Sequence, residues 1–332
     1  AYTLQSPQTR ADIRQRADAA VISVRAEMYR VSKLALAGQM YAPPAPENPT
    51  PDEQQAVIRA ALDLAAADRP APDRLVAVAT EGVAEADAFL NAHEIITMPP
   101  TPVRVILMPE FQRGFAVAYL DAPGPLEREL GSFYAVSPIP DGWSEEQAVS
   151  FLREYNNRMI VDIAVHESSP GHYVQLWHAN AYPSTLRAVL SSGSFVEGWA
   201  VYAEEVMIQE GFRRGDHLYH LSQLKVLLRT ITNSIIDQAI HVDGMSEEEM
   251  MHLLVHTAFQ EEREAAGKWR RAQLSFTQLS TYFVGYQEHL ETRAAAQAQA
   301  DFNLKRYHDR LLSFGSPPMR YARALLLNEA IP

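Results

Sequence analysis

A mainly α-helical fold, with long helices around a cleft and one small antiparallel β-sheet, is what this sequence predicts. Apolar residues recur at three- and four-residue steps through most of its 332 residues. The period changes between Pro99 and Pro140, and Pro or Gly marks the ends of the segments.

From Ser6 to Gly38 the spacing of Ile13, Ala17, Ala20, Val24, Met28, Val31 and Leu34 predicts one helix, opened by Ser6-Pro7 and closed by Gly38. The proline-rich stretch from Ala42 to Pro51 cannot be helix interior and reads as an extended connector. Two Ala-rich helices follow, Asp52 to Ala67 and Asp73 to His93, each opened by Pro-Asp. Residues 1–98 therefore read as an N-terminal helical region and 99–332 as the region that carries chemistry, the two expected to form one continuous domain.

Val103–Leu107, Phe115–Leu120 and Ser132–Val136 predict three short strands, expected to pair antiparallel. Ser144-Glu145-Glu146 then opens a helix expected to run unbroken to His166-Glu167. Further helices fit Gly193–Glu210, Asp216–His241, Ser246–Leu279, Tyr282–Ala300 and Leu304–Phe314, the last stopped by Gly315-Ser316-Pro317-Pro318.

Composition narrows the function. With 29 Lys plus Arg against 41 Asp plus Glu the net charge is −12, and no basic run offsets it, which argues against nucleic acid as a partner. The chain contains no Cys, so disulfides, thiolate metal sites and cysteine nucleophiles are excluded, while cytoplasm and periplasm both stay open. No apolar run reaches the roughly 18–20 residues of a membrane span. The first residue is Ala rather than Met, from which a removed upstream segment is expected.

The segment with most chemistry is His166-Glu167-Ser168-Ser169-Pro170-Gly171-His172. In a His-Glu-x-x-His motif the two His fall on one helix face and the Glu polarises a zinc-bound water. Here the second His is six residues on, which an unbroken helix would place about 240° around the axis. Pro170 removes a backbone donor and Gly171 admits unusual dihedrals, so the turn can open and return His172 to His166. A catalytic zinc takes a third protein ligand, and Glu197 is the candidate, with Glu204 seven residues later on the same helix face and able to accept from a ligand imidazole. Read alone, each piece also fits an exposed helix end.

Together, these residues resemble the bacterial DUF885 family, similar to gluzincin-type zinc metallopeptidases. The resemblance lies in His166 through His172 with Gln175, in Glu197-Gly198-Trp199-Ala200-x-Tyr202-x-Glu204, in Asp237-x-x-Ile240-His241, in Tyr282-x-x-Gly285 and in Tyr307-His308-Asp309 through Pro318. It covers the chain from about residue 100 onward and, more loosely, the first helix. Family members are longer on the N-terminal side, so the chain is expected to be the catalytic C-terminal part of a larger protein. The resemblance implies a helical metallohydrolase with His166, His172 and Glu197 on zinc and Glu167 as general base. Ala239 and Phe276-Thr277 depart from the family's pattern without touching the proposed ligands.

On that reading Glu167 takes a proton from water and returns it to the leaving amine, and Tyr282 or His241 donates to the oxyanion. Tyr282 reads equally as a core residue, and Asp237 with His241 as an ordinary helix pair. Glu204, Gln175 and Asp237 are the candidates for orienting the ligands from behind. His178 is placed at the cleft, Arg113 and Tyr134 are conceivable substrate contacts, and Lys225 or Arg229 would hold a substrate carboxylate. The expected partner is a short peptide cleaved in the manner of a carboxypeptidase or dipeptidase. The alternatives are hydrolysis of a non-peptide amide or ester, and a non-catalytic binding module that retains the motif.

Overall fold

A computed structural model describes residues 3–113, 116–124, 126–127 and 130–332. Helix α1 spans Arg10–Ala35. It starts at Thr9 rather than Ser6 because the Thr9 side chain accepts from Asp12 N while Asp12 closes back on the Thr9 backbone, satisfying two orphan donors at once. The same device, Thr50 with Glu53, opens α2 (Pro51–Ala67). Helix α3 (Leu75–His93) follows a single tight turn at Pro72–Arg74.

The expected strands are present as β1 (Arg104–Leu107), β2 (Ala118–Asp121) and β3 (Phe133–Val136), while Phe115 lies outside the described residues. Their pairing corrects the antiparallel expectation. The spatial order is β1-β3-β2, with β1 parallel to β3 and β2 antiparallel to it, so the sheet is mixed. Strand β3 takes the centre, and its Tyr134, Ala135 and Val136 are buried.

The helix expected from Ser144 to Glu167 is two helices, α4 (Glu145–Glu154) and α5 (Asn157–Glu167). Asn156 causes the break: its side-chain oxygen accepts from the Arg158 and Met159 backbones and so caps a new helix. Then come α6 (His172–Asn180), α7 (Thr185–Val189), α8 (Gly193–Glu210) and α9 (His217–Gln238), the last widening into a π turn at Ala239–Asp243.

The continuous helix expected over Ser246–Leu279 is likewise divided. Helix α10 (Glu247–His252) passes into a π turn at Leu253–Thr257, and α11 (Glu262–Leu274) and α12 (Gln278–Gln297) follow. The divisions fall at Phe259 and Thr277, whose φ angles of 57° and 66° are left-handed and incompatible with helix interior. Helix α13 (Leu304–Leu312) stops ahead of Gly315 as expected, and the paired prolines lead into a further helix, α14 (Met319–Leu327), that the sequence reading did not include.

The main core lies where α3, α5, α8, α9 and α12 meet one face of the sheet, through residues such as Val83, Leu90, Val161, Val165, Phe195, Trp199, Ile231 and Phe283. A second cluster seats α1 and α2 on α9, with Met28, Val31, Val57 and Ile58 against Leu221, Leu224 and Leu228. Fully burying one such side chain stabilises by about 1.5–3 kcal/mol. Among the described residues no helix is long and apolar enough to cross a membrane.

Candidate metal centre

Helix α5 ends at Glu167, and the chain reverses through Ser168, the cis Ser169-Pro170 peptide and Gly171 before α6 begins at His172. The turn folds tightly onto its own helix, with Gly171 N donating to Val165 O at 3.0 Å. A Cβ on Gly171 would stand 1.9 Å from His166 O and 2.4 Å from Val165 O, so only glycine fits. From α8 the Trp199 indole donates to Pro170 O at 2.8 Å and pins the turn.

This turn returns His172 to His166. The ring centroids are 4.8 Å apart and the planes nearly perpendicular, at 88°. From α8, Glu197 places Oε2 3.3 Å from His172 Nε2 and 3.9 Å from His166 Nε2. One ligand atom from each residue lies within 4.8 Å of the other two. The three side chains are 15%, 11% and 21% exposed for His166, His172 and Glu197, so the cluster keeps some access to solvent rather than being sealed in the core.

The electrostatics suit cation binding. Glu197 Oε2 is buried and makes no hydrogen bond. Burial would raise the Glu197 carboxyl, but His172 and His166 outweigh it and hold it below its ordinary value. Burial, aided by the adjacent His172, lowers His166 to about 4, leaving a neutral ring. On its far side His166 Nδ1 shares a 2.6 Å hydrogen bond with Glu204 Oε1, whose carboxyl burial pushes well up. Two imidazoles and a carboxylate fit a zinc site that leaves a position for water.

Glu167 is half-buried, makes no side-chain hydrogen bond to another described residue, and bears on both imidazoles and on Tyr134. Tyr282, from α12, lies nearly parallel to the His166 ring at 6.4 Å. Its hydroxyl accepts from Gln278 Nε2 and Arg271 Nη2, each at 3.2 Å, and Gln278 Nε2 also reaches Glu197 Oε1 at 3.4 Å. Burial first and then the Glu197 charge raise the Tyr282 hydroxyl above its ordinary range, so it stays protonated.

Other expectations are corrected. His241 is not brought to the cluster: its Nε2 meets the Ala272 and Ser275 carbonyls at 2.9 and 2.7 Å, joining the π turn to the end of α11. Asp237 accepts from Thr277 N, Ser280 N and the Ser280 hydroxyl, and so caps α12 rather than orienting a ligand. Gln175 is buried and donates to Ser316 Oγ at 2.8 Å, fastening α6 to the chain beyond α13. Lys225 and Arg229 both close on buried Glu154, at 2.7 and 2.6 Å, which takes them out of contention for a substrate carboxylate. His178 meets Thr97 O at 2.8 Å, Arg113 donates to Met108 O, and Tyr134 is buried near Glu167.

Sequence reasoning missed Arg271 and Gln278. One signal was available for the first: Arg271 has Gly267 and Ser275 four residues to either side, so its helix supplies no acid at that spacing.

Fold and site define a mainly helical protein built around a His-His-Glu cluster with a neighbouring glutamate. The chain belongs to the DUF885 family, described as bacterial protein of unknown function, whose model matches residues 1–326. Among solved structures, a candidate lipoprotein of unknown function from Shewanella oneidensis is 36% identical and superposes with a TM-score of 0.86, over 98% of this chain and 58% of that one. A candidate lipoprotein from Colwellia psychrerythraea, 19% identical, shares the fold with a TM-score of 0.80, over 97% of this chain and 52% of that one. This chain thus spans little more than half the length of both. No curated protein matches it.

Proposed function

We propose that the chain is a zinc-dependent hydrolase that cleaves amide bonds of short peptides, with His166, His172 and Glu197 as metal ligands. The observation that carries this reading is the return of His172 across a glycine-only turn to meet His166 and the buried Oε2 of Glu197. Bound there, zinc would polarise the substrate carbonyl and acidify water.

The protein's own groups would do the rest. Glu167, whose charge acts on both rings and which makes no side-chain hydrogen bond to another described residue, takes the proton from the attacking water and delivers it to the leaving amine. Glu204 holds His166 through Nδ1, so that Nε2 faces the metal. Tyr282, kept protonated, donates to the oxyanion of the tetrahedral intermediate. The likeness to candidate lipoproteins supports an exported location.

Elemental mass spectrometry on the purified chain, beside His172→Ala, tests the metal; about one zinc per chain, lost in the variant, is expected. Glu167→Gln should keep the zinc and lose roughly 10²–10⁴-fold in peptide turnover. A wild type that takes up no zinc when supplied with it would overturn the reading in favour of a binding module.

A further inference from the structure

Arg271 is a half-buried cation that forms no ion pair with any described carboxylate. Lys225 and Arg229, by contrast, are matched to Glu154, and Lys268 to Glu264 at 3.7 Å. Among the described residues only Nη2 is engaged, and only with neutral groups, at 3.3 Å from Gln278 Oε1 and 3.2 Å from the Tyr282 hydroxyl. Nε and Nη1 make no hydrogen bond to a described residue, and neither is sealed from solvent. Glu197 and Glu264 favour the guanidinium charge from beyond ion-pair distance, so a directly bound anion can still pair with it.

The position says which anion. Nη2 touches the Tyr282 hydroxyl, that hydroxyl is 3.2 Å from Gln278 Nε2, and the same nitrogen is 3.4 Å from Glu197 Oε1. Three short contacts therefore join the guanidinium to the ligand carboxylate. An extended chain advances roughly 3.3–3.6 Å per residue, so one or two residues beyond a carbonyl held at the cluster bring a chain end to Arg271. A planar guanidinium pairs with a carboxylate through two parallel hydrogen bonds.

From this geometry we infer that Arg271 seats the substrate's C-terminal carboxylate, so that the site selects short peptides with a free C-terminus. The inference rests on the peptidase reading above. The competing role, that Arg271 merely holds Tyr282 in place, predicts losses indifferent to the charge at the substrate's end.

The test compares one short peptide as free acid and as C-terminal amide, on the zinc-loaded full chain, in wild type, Arg271→Gln and Arg271→Lys. A charged hydrogen-bonded contact is worth roughly 10- to 100-fold, so wild type should favour the acid by that factor in kcat/KM. In Arg271→Gln the acid should fall by that factor more than the amide, chiefly through KM, and Arg271→Lys should recover part. Equal rates on acid and amide in wild type, or equal losses on both in Arg271→Gln, would overturn the inference. Calorimetric titration of the zinc-free chain with both peptide forms runs in parallel and needs no turnover. Tighter binding of the acid, lost in Arg271→Gln, upholds the carboxylate seat even if no peptide is cleaved, which would defeat the peptidase reading alone; binding indifferent to the end group overturns the seat.

Discussion

Gly198 in α8 and Gly285 in α12 meet backbone to backbone. A Cβ on Gly198 would stand 2.2 Å from the Gly285 carbonyl carbon, and one on Gly285 1.8 Å from Ser194 O. Glu197 directly precedes the first glycine and Tyr282 lies one turn before the second, so this crossing sets how close carboxylate and phenol can come.

Gly198→Ala is therefore expected to force the two helices apart. Overpacking costs typically 1–3 kcal/mol, and here the clash is with backbone, which cannot rotate away. Urea denaturation should show a lower midpoint, and zinc content should fall with it. A variant with the midpoint and zinc of wild type would show that the crossing has room for a methyl group.

Gly171→Ala tests the turn. Its methyl would overlap His166 O, and relief requires that the chain between α5 and α6 open and carry His172 outward. Loss of zinc is expected, with a smaller loss of stability than at Gly198 because the turn lies at a helix end. Normal zinc content by elemental analysis would contradict the placement of His172.

Glu204→Gln keeps the size of the side chain and replaces the carboxyl group behind His166 with an amide. Zinc affinity is expected to fall about 10–100-fold, the usual cost of losing such a partner. Competition against a chelator of known affinity measures it, and an unchanged constant would mean that Glu204 does not orient His166.

His289 and His308 give a prediction for acid. Burial lowers His289 to about 4 and His308 to about 3. His289 faces Phe195 O, and His308 lies between Ile95 O and the Tyr202 hydroxyl. Both stay neutral in the fold, whereas the unfolded chain protonates them below an ordinary value of 6.5. Stability is thus complete above that value and declines as pH falls toward 4, by about 1.4 kcal/mol per pH unit for each group. Urea midpoints between pH 7 and 4.5 should slope accordingly, and His308→Gln should remove about one proton's share. A flat profile in wild type would show that neither ring resists protonation.

The residues that converge at the site were legible because their spacing is chemically odd. A second His at the sixth position makes sense only if Pro170-Gly171 breaks the helix, and a glutamate beside a glycine and a tryptophan does not occur by hydrophobic patterning alone. What misled was polar chemistry of shorter reach. Asp237 and His241 sit at helix spacing, yet each serves the nearest unpaired backbone group, Asp237 the amides of α12 and His241 the carbonyls of α11. Asn156 cut a helix that apolar periodicity carried through, because periodicity records which face is buried and not where backbone bonding restarts.

The sequence by itself determined the helical class, the family and the set of residues able to bind a cation, since these follow from periodicity, residue type and local spacing. Only the tertiary structure decided the mixed pairing of the sheet, the glycine-to-glycine crossing that sets Glu197 against Tyr282, and which basic side chains near the cluster meet a carboxylate. Lys225 and Arg229 find Glu154 across a helix interface, while Arg271 hydrogen-bonds only neutral groups among the described residues. Whether a charge is matched depends on what lies across the packed interface, and that is a property of the assembled fold.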